Sequence, residues 1–342
     1  MPTFVLYLLC AGISFALTSV ALPVLRKLAA NAFLDAPGGL KKHAGKVPVL
    51  GGCGILAGIV GSLVFIRLTT SFPSGTLHTL RGVIIGGGLI FLMGLADDLK
   101  KPKGVSVPVK LFIQAAATAA LIYYGVAIHA FTSPWISYPL TFLWVVGLTN
   151  AFNLLDIMDG LCVSQAVVCT LGLAVIALPS EYVYVNFAAL ALLGACLAFW
   201  PYNHAKKRKI FLGDSGSNLL GFLIAALSIG TGYCEKSDWG FLAPLFILAV
   251  PLFDTAFVTL ARLLKGKNPL KGSNDHAALR LKKLGWKPGW ILFAFALTGL
   301  TANVFAFTLT HCCVQIAASL FMAAGAFGAL ITLWLLHLKT DL

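Results

Sequence analysis

The stretch Asn150–Gly160 reads NAFNLLDIMDG and closes an apolar run, Pro139–Leu148. It sets Asn150, Asn153, Asp156 and Asp159 at intervals of three, in a chain with only twelve acidic residues. On a helix of 3.6 residues per turn, each step of three falls short of a full turn by about 60°, so the four positions sweep about half the circumference. An unbroken helix cannot aim all four at one ligand. Either they line a curved wall, or the helix unwinds near Ile157–Gly160, where glycine permits it. Both geometries make a polar pocket at the end of an apolar helix. An ordinary polar helix cap is the plainer alternative.

Composition sets that helix in a membrane. The chain has 342 residues, 59% hydrophobic and 11% charged, with a mean hydropathy of +0.91. Such a balance excludes a soluble domain and predicts an all-α, polytopic membrane protein. About eleven apolar stretches are long enough to span, from Thr3–Leu22 to Cys312–His337. The fifth, Pro139–Asn153, and the eighth, Ser217–Tyr233, are the shortest for a span of about 20 residues. The ninth, Gly240–Leu260, reads as one helix. A closed β-barrel would need period-two alternation, which these runs lack. Thr3–Leu22 reads as a first span and not a signal peptide, because Arg26 and Lys27 follow it and no basic residue precedes it. The longest loop, Arg262–Pro288, is too short for a soluble insert, so residues 1–342 are expected to form one integral membrane domain.

Lysine and arginine give the orientation. Five segments (Arg26–Lys46, Asp97–Lys110, Tyr202–Gly216, Arg262–Pro288 and the C-terminus) hold 22 of the 25 basic residues. The opposite side keeps Arg67, Arg81 and Lys236. The asymmetry predicts that the first set is cytoplasmic, with the N-terminus outside and the C-terminus inside. A net charge of +13 gathered at one membrane face favours anionic lipid or an anionic substrate over nucleic acid. The eight cysteines fall mostly inside apolar runs with no C-x-x-C pair, and read as small hydrophobes.

The chemistry-bearing residues gather at the same face. Nine of the twelve acids lie on or toward it, the exceptions being Glu181, Glu235 and Asp238. The third span ends in Asp97-Asp98, ringed by Lys100, Lys101, Lys103 and Lys110. Adjacent carboxylates repel, so the pair suits a divalent cation or a proton acceptor. Gln114 follows Lys110 one turn on. The first loop carries Asp35, Lys41, Lys42 and His43. After the seventh span, Asn203 and the basic run Lys206–Lys209 lead into Phe211-Leu-Gly213-Asp214-Ser215-Gly216-Ser217. Its glycines bare backbone N–H groups to a pyrophosphate, and Asp214 offers oxygen to a hard cation. The GDSG string also occurs around the serine of trypsin-like proteases, but those need a soluble β-barrel with its own His and Asp. Asp254 sits inside the apolar ninth span, divided between a structural hydrogen bond and a cavity-lining role. The last large loop adds Asn274, Asp275, His276 and Arg280. Carboxylates, lysines and one histidine at one membrane face fit phosphate chemistry with Mg²⁺.

The motifs GLADD (Gly94–Asp98), KLFIQ (Lys110–Gln114), NAFNLLDIMDGL (Asn150–Leu161), FLGDSGS (Phe211–Ser217) and PLFDT (Pro251–Thr255), in that order, resemble the polyprenyl-phosphate N-acetylhexosamine-1-phosphate transferases of glycosyltransferase family 4. The resemblance runs from about Asp35 to Gly285. It implies that undecaprenyl phosphate attacks the β-phosphate of a UDP-N-acetylhexosamine, releasing UMP and leaving a lipid-linked sugar pyrophosphate. It further implies a multi-pass protein of the bacterial inner membrane, acting from the cytoplasm in the first membrane step of envelope polysaccharide synthesis. Mg²⁺ would be the cofactor, with Mn²⁺ an acceptable substitute and a homodimer an allowed assembly. Asp97 and Asp98 match the family's paired aspartates, with Asp98 and Asp214 at the metal. Asp156 and Asp159 match catalytic-pocket residues, with Asn150 and Asn153 beside them. Asn203 and Phe211 fall near positions that contact uridine, and Lys110 suits the lipid phosphate. The family often shows several histidines in the last loop, where this chain has only His276 with Arg280. That departure, with no loop suited to a peptide, points to a GlcNAc-type donor and away from the phospho-MurNAc-pentapeptide branch. The competing reading is a non-enzymatic transporter or flippase for an anionic lipid, which should carry polar groups near the bilayer midplane.

Overall fold

A computed structural model describes residues 3–29, 33–35, 46–70, 76–101, 103–130, 133–179, 183–205, 207–268 and 275–338. Lys41, Lys42, His43, Lys206 and Asn274 lie outside them. The described residues form thirteen α-helices and one two-stranded antiparallel ribbon, and divide into two compact units, Met1–Thr231 and Gly232–Leu342.

The first unit holds α1 (Thr3–Leu28), β1 (Leu34–Asp35), β2 (Val47–Pro48), α2 (Gly51–Thr69), α3 (Thr76–Leu99), α4 (Val107–Tyr123), α5 (Pro134–Leu155), α6 (Leu161–Ala177), α7 (Val183–His204) and α8 (Gly213–Gly230). α8 is the hub, packed by α2, α3, α5 and α6 and buried along nearly its whole length. Small residues let backbones close on it, as expected where lipid supplies no hydrophobic drive between helices. A Cβ added to Gly52 would lie 2.5 Å from the Gly216 nitrogen, and one added to Gly94 would lie 2.5 Å from the Asp214 carbonyl oxygen. These two contacts bring the ends of α2 and α3 onto the first turn of α8.

The second unit holds a 3-10 turn (Asp238–Leu242), α9 (Ala243–Ile247), α10 (Ala249–Leu264), α11 (Ala277–Lys283), α12 (Pro288–Leu309) and α13 (Val314–His337). α12 packs on α9 and α10.

Seven helices among the described residues are long and apolar enough to cross a membrane, or eight if the bent pair α9–α10 is one span. The protein is therefore multi-pass and helical, with a smaller set of full-length spans than eleven apolar runs suggest. Two of the run boundaries need correction. The fifth helix is a full 22 residues because it starts at Pro134 and carries Pro139 inside it. Proline is well placed in a first turn, and Pro139 costs only one hydrogen bond near the helix start. The ninth run is not one helix: it bends by 64° at Leu248. Pro251 cannot donate to the carbonyl of Ile247 and crowds it, which is the usual cause of such a break. Outside the bent pair, the shorter apolar helices among the described residues are α4 and α6, at 17 residues each. All eight cysteines are free, with Cys234 and Cys313 exposed and not buried hydrophobes.

Candidate active site

The opening stretch takes the second of its two geometries. α5 ends at Leu155, Asp156 leaves helical geometry, and Gly160 begins α6 with a φ of 79°. Only glycine holds that left-handed conformation without strain. A side chain there would also strike the His204 imidazole at the end of α7. Asn203 fixes the turn from the same side. Its Oδ1 accepts from the Gly160 N–H at 2.5 Å and its Nδ2 donates to the Ile210 carbonyl at 3.2 Å. Buried with both amide ends engaged, Asn203 joins the 156–160 turn to the chain that enters α8.

That entering chain is itself anchored. Phe211 N–H donates to the Pro48 carbonyl at 2.8 Å, and the Gly51 N–H donates back to Phe211 at 2.9 Å. The Phe211 ring lies under Lys209, whose ammonium is 5.0 Å from its centroid. Lys209 also pairs with Asp159 at 2.5 Å, at a rim where the Asp159 side chain is 44% exposed.

The carboxylates of α3 meet the start of α8. Asp98 Oδ1 accepts from the Asp214 N–H and Oδ2 from the Ser215 N–H, both at 2.9 Å. These are the free N–H groups of a helix N-terminus, where a negative charge is favoured. Lys101 adds an ion pair to Asp98 at 2.8 Å and reaches Asp214 at 3.4 Å. Burial alone would lower the Lys101 pKa, but Asp214 and Asp98 carry it above the ordinary lysine value. Asp97 pairs with Lys110 at 2.6 Å and accepts from the Val105 N–H at 2.5 Å. Its carboxyl lies within hydrogen-bonding reach of Asp214. Asn153 donates to Asp214 at 3.2 Å and to Ser217 at 2.9 Å. Asn150 forms a reciprocal amide pair with Gln114, at 2.9 and 3.3 Å.

Asp97, Asp98, Asp156, Asp159, Asp214, Lys110, Asn153, Asn203 and Phe211 thus all occupy one end of the first unit. Of the four lysines that the sequence places around Asp97 and Asp98, Lys101 is the one paired with Asp98 and Asp214, as its three-residue offset from Asp98 at a helix end allows. His276 and Arg280 belong to the second unit. His276 Nδ1 lies 2.7 Å from Asp254 Oδ2, and the other Asp254 oxygen accepts from the Ala277 N–H at 3.1 Å. The intramembrane acid therefore takes the structural role among its two alternatives. Arg280 is 2% exposed, with donors on the Leu335 carbonyl and on Asp275 and its face against Phe257. Asp275 also pairs with Lys265.

Among the described residues no three acidic, histidine or cysteine side chains form a ready-made metal cage. Mg²⁺ does not require one, since it commonly takes one or two carboxylates plus substrate phosphates and water. Asp214 fits that demand, with its side chain 26% exposed and Asp97 beside it. Asp98 has a fully buried side chain, and its two oxygens accept from the backbone N–H groups at the start of α8. In this arrangement it fixes the first turn that carries Asp214.

Asp156 supplies a pH readout. Desolvation, then the charge of Asp214, pushes its pKa up to about 7. A group raised in the folded state favours folding below its unfolded pKa, and that contribution is lost as pH rises through the folded value. Without divalent cation, the melting temperature should therefore fall as pH is raised from about 5 to 8. Asp156→Asn should flatten the slope, and thermal unfolding across that range in detergent checks it.

Comparisons with known proteins agree on one family. The model of glycosyl transferase family 4 matches residues 80–232. The chain is 30% identical to a probable undecaprenyl-phosphate N-acetylglucosaminyl 1-phosphate transferase of Bacillus subtilis, covering 84% of this chain and 80% of the relative. It is 32% identical to an undecaprenyl-phosphate alpha-N-acetylglucosaminyl 1-phosphate transferase of Thermotoga maritima, over 84% and 85%. The protein of that same description from Escherichia coli K12 is 26% identical, over 80% and 75%.

Proposed function

This chain belongs to glycosyl transferase family 4, and on that footing we propose that it transfers N-acetylglucosamine 1-phosphate to undecaprenyl phosphate, the acceptor named in its relatives. It is a membrane phosphotransferase. The donor we assign is UDP-GlcNAc, and the site faces the cytoplasm of the inner membrane, the face that the lysine and arginine bias favours. The N-terminus is then outside and residues 1–342 act as one integral enzyme, in the first membrane step of an envelope polysaccharide.

One observation carries the reading: Asp97, Asp98 and Asp214, 116 residues apart at the extremes of one hydrogen bond, converge with Lys101 and Lys110 where α3 meets α8. In the reaction an oxygen of the lipid phosphate bonds to the donor's β-phosphorus. The bond from that phosphorus to the bridging oxygen breaks, and UMP departs with its electron pair. Bound Mg²⁺ would neutralise the charge that builds on the phosphates. Asp214 and Asp97 would hold it. Asp97, fixed by Lys110, is also placed to take a proton from the lipid phosphate, and Lys110 to approach the phosphate itself. Lys101 sits between carboxylates at the position a second cation would favour. Asp156 and Asp159 line the nucleotide side with Asn153 and Phe211, while Asn203 and Asn150 hold the loops and helices that carry them. In the second unit, His276 is oriented through Nδ1 by Asp254. Arg280 donates to the Leu335 carbonyl and to Asp275.

The test is radiolabelled UDP-GlcNAc with purified protein, undecaprenyl phosphate and Mg²⁺. The expected result is a lipid-linked product and stoichiometric UMP, lost with chelator. No product from any UDP-N-acetylhexosamine would turn the reading toward a lipid transporter.

A further inference from the structure

A groove of about 340 Å³ opens in the first unit among α2, α3 and α8, remote from the carboxylates. Its walls are aliphatic, and its floor is α3, where Gly87 and Gly88 present no side chain. A Cβ on Gly88 would meet nothing within 4 Å, and one on Gly87 would come no nearer than 3.5 Å to Leu223. The space is therefore one that glycine leaves open.

Its position along α3 fixes which face it serves. The groove takes α3 residues from Leu77 to Gly88, whereas Asp97 and Asp98 end that helix. At 1.5 Å per residue, these lie roughly 13 to 30 Å along the axis from Asp97. The one charged residue in the lining is Arg67, in the last turn of α2. Arg67 is exposed, and no described residue hydrogen-bonds or ion-pairs with it. The acids of α2, α3 and α8 are Asp97, Asp98 and Asp214, all at the other end. Arg67 thus has no counter-ion on the helices that form the groove, and a hydrocarbon-lined slot runs inward from it.

We propose that this groove binds an anionic phospholipid of the leaflet opposite the active site, with its phosphate on Arg67 and one acyl chain laid along Gly87 and Gly88. Charge complementarity selects the head group, because a guanidinium pairs phosphate with two parallel hydrogen bonds and an uncompensated cation at a membrane surface attracts anionic lipid. The aliphatic lining selects the tail. The site differs from that of the lipid phosphate substrate, which the reading above places beside Lys110.

The test uses the purified full chain in neutral detergent, titrated with phosphatidylglycerol or phosphatidylcholine, and read by thermal unfolding and native mass spectrometry. Phosphatidylglycerol should raise the melting temperature by several degrees and remain bound, with little effect of phosphatidylcholine. Arg67→Ala should remove the preference, and Gly88→Leu, which fills open space, should remove the retained lipid. Both should change turnover by less than about twofold. Equal stabilisation by the two lipids, or a phosphatidylglycerol shift that survives Arg67→Ala, overturns the proposal, and Arg67→Ala decides alone if Gly88→Leu does not fold. Disulfide cross-linking of two copies through Gly88→Cys would assign the groove to a second chain and also overturn it. Because lipid binding and melting temperature are read without turnover, a failure there is separable from a failure of the enzymatic reading.

Discussion

Asp214→Asn is expected to lower turnover by about 10³-fold or more, while the melting temperature stays within a degree or two. The asparagine keeps the shape of the side chain and can still accept from Asn153. It loses the charge that a divalent cation and the Lys101 ammonium both require. The side chain is partly open, so no buried group is stranded by the change. Mg²⁺ titration of the residual rate should show a weakened cation response. A variant that turns over within tenfold of the parent would remove Asp214 from the chemistry.

Asp98→Ala should behave differently. Two N–H groups at the start of α8 and the Lys101 ammonium would lose a shared, fully buried acceptor. Lys101 is partly open to solvent, so the main cost is the buried N–H groups left without an acceptor, about 1–3 kcal/mol each. The protein should be markedly destabilised and turnover lost with it, measured by denaturation in detergent alongside the assay. If Asp98→Ala melts like the parent, the carboxylate does not position α8, and its loss of activity would have to be chemical. The two substitutions therefore separate a residue that handles substrate from one that holds it in place.

Much of this was legible in order along the chain. Composition alone required a multi-pass helical protein, because no soluble core can absorb 59% hydrophobic residues at 11% charge. The spacing of Asn150, Asn153, Asp156 and Asp159 allowed a curved wall or a break in the helix, and Gly160 was the residue able to make the break that the structure shows. The motifs carried the family. Run lengths were less secure, since hydropathy does not register whether a proline sits in a first turn, as Pro134 does, or breaks a helix, as Pro251 does.

What the linear order could not assign was the task of each polar residue. Asp97 and Asp98 are neighbours in sequence, yet a step of one on a helix turns the side chain by about 100°. One therefore meets Lys110 and the other the N-terminus of α8. Asn150 and Asn203 carry the same amide as Asn153, but Asn150 pairs with Gln114, 36 residues away, and Asn203 with the backbone of Gly160, 43 residues away, and of Ile210. Sequence fixes which groups exist and how far apart they are along the chain. Whether a hydrogen-bonding group is spent on the fold or left for a ligand depends on which neighbour the packing of helices brings within 3 Å, and only the tertiary structure decides that.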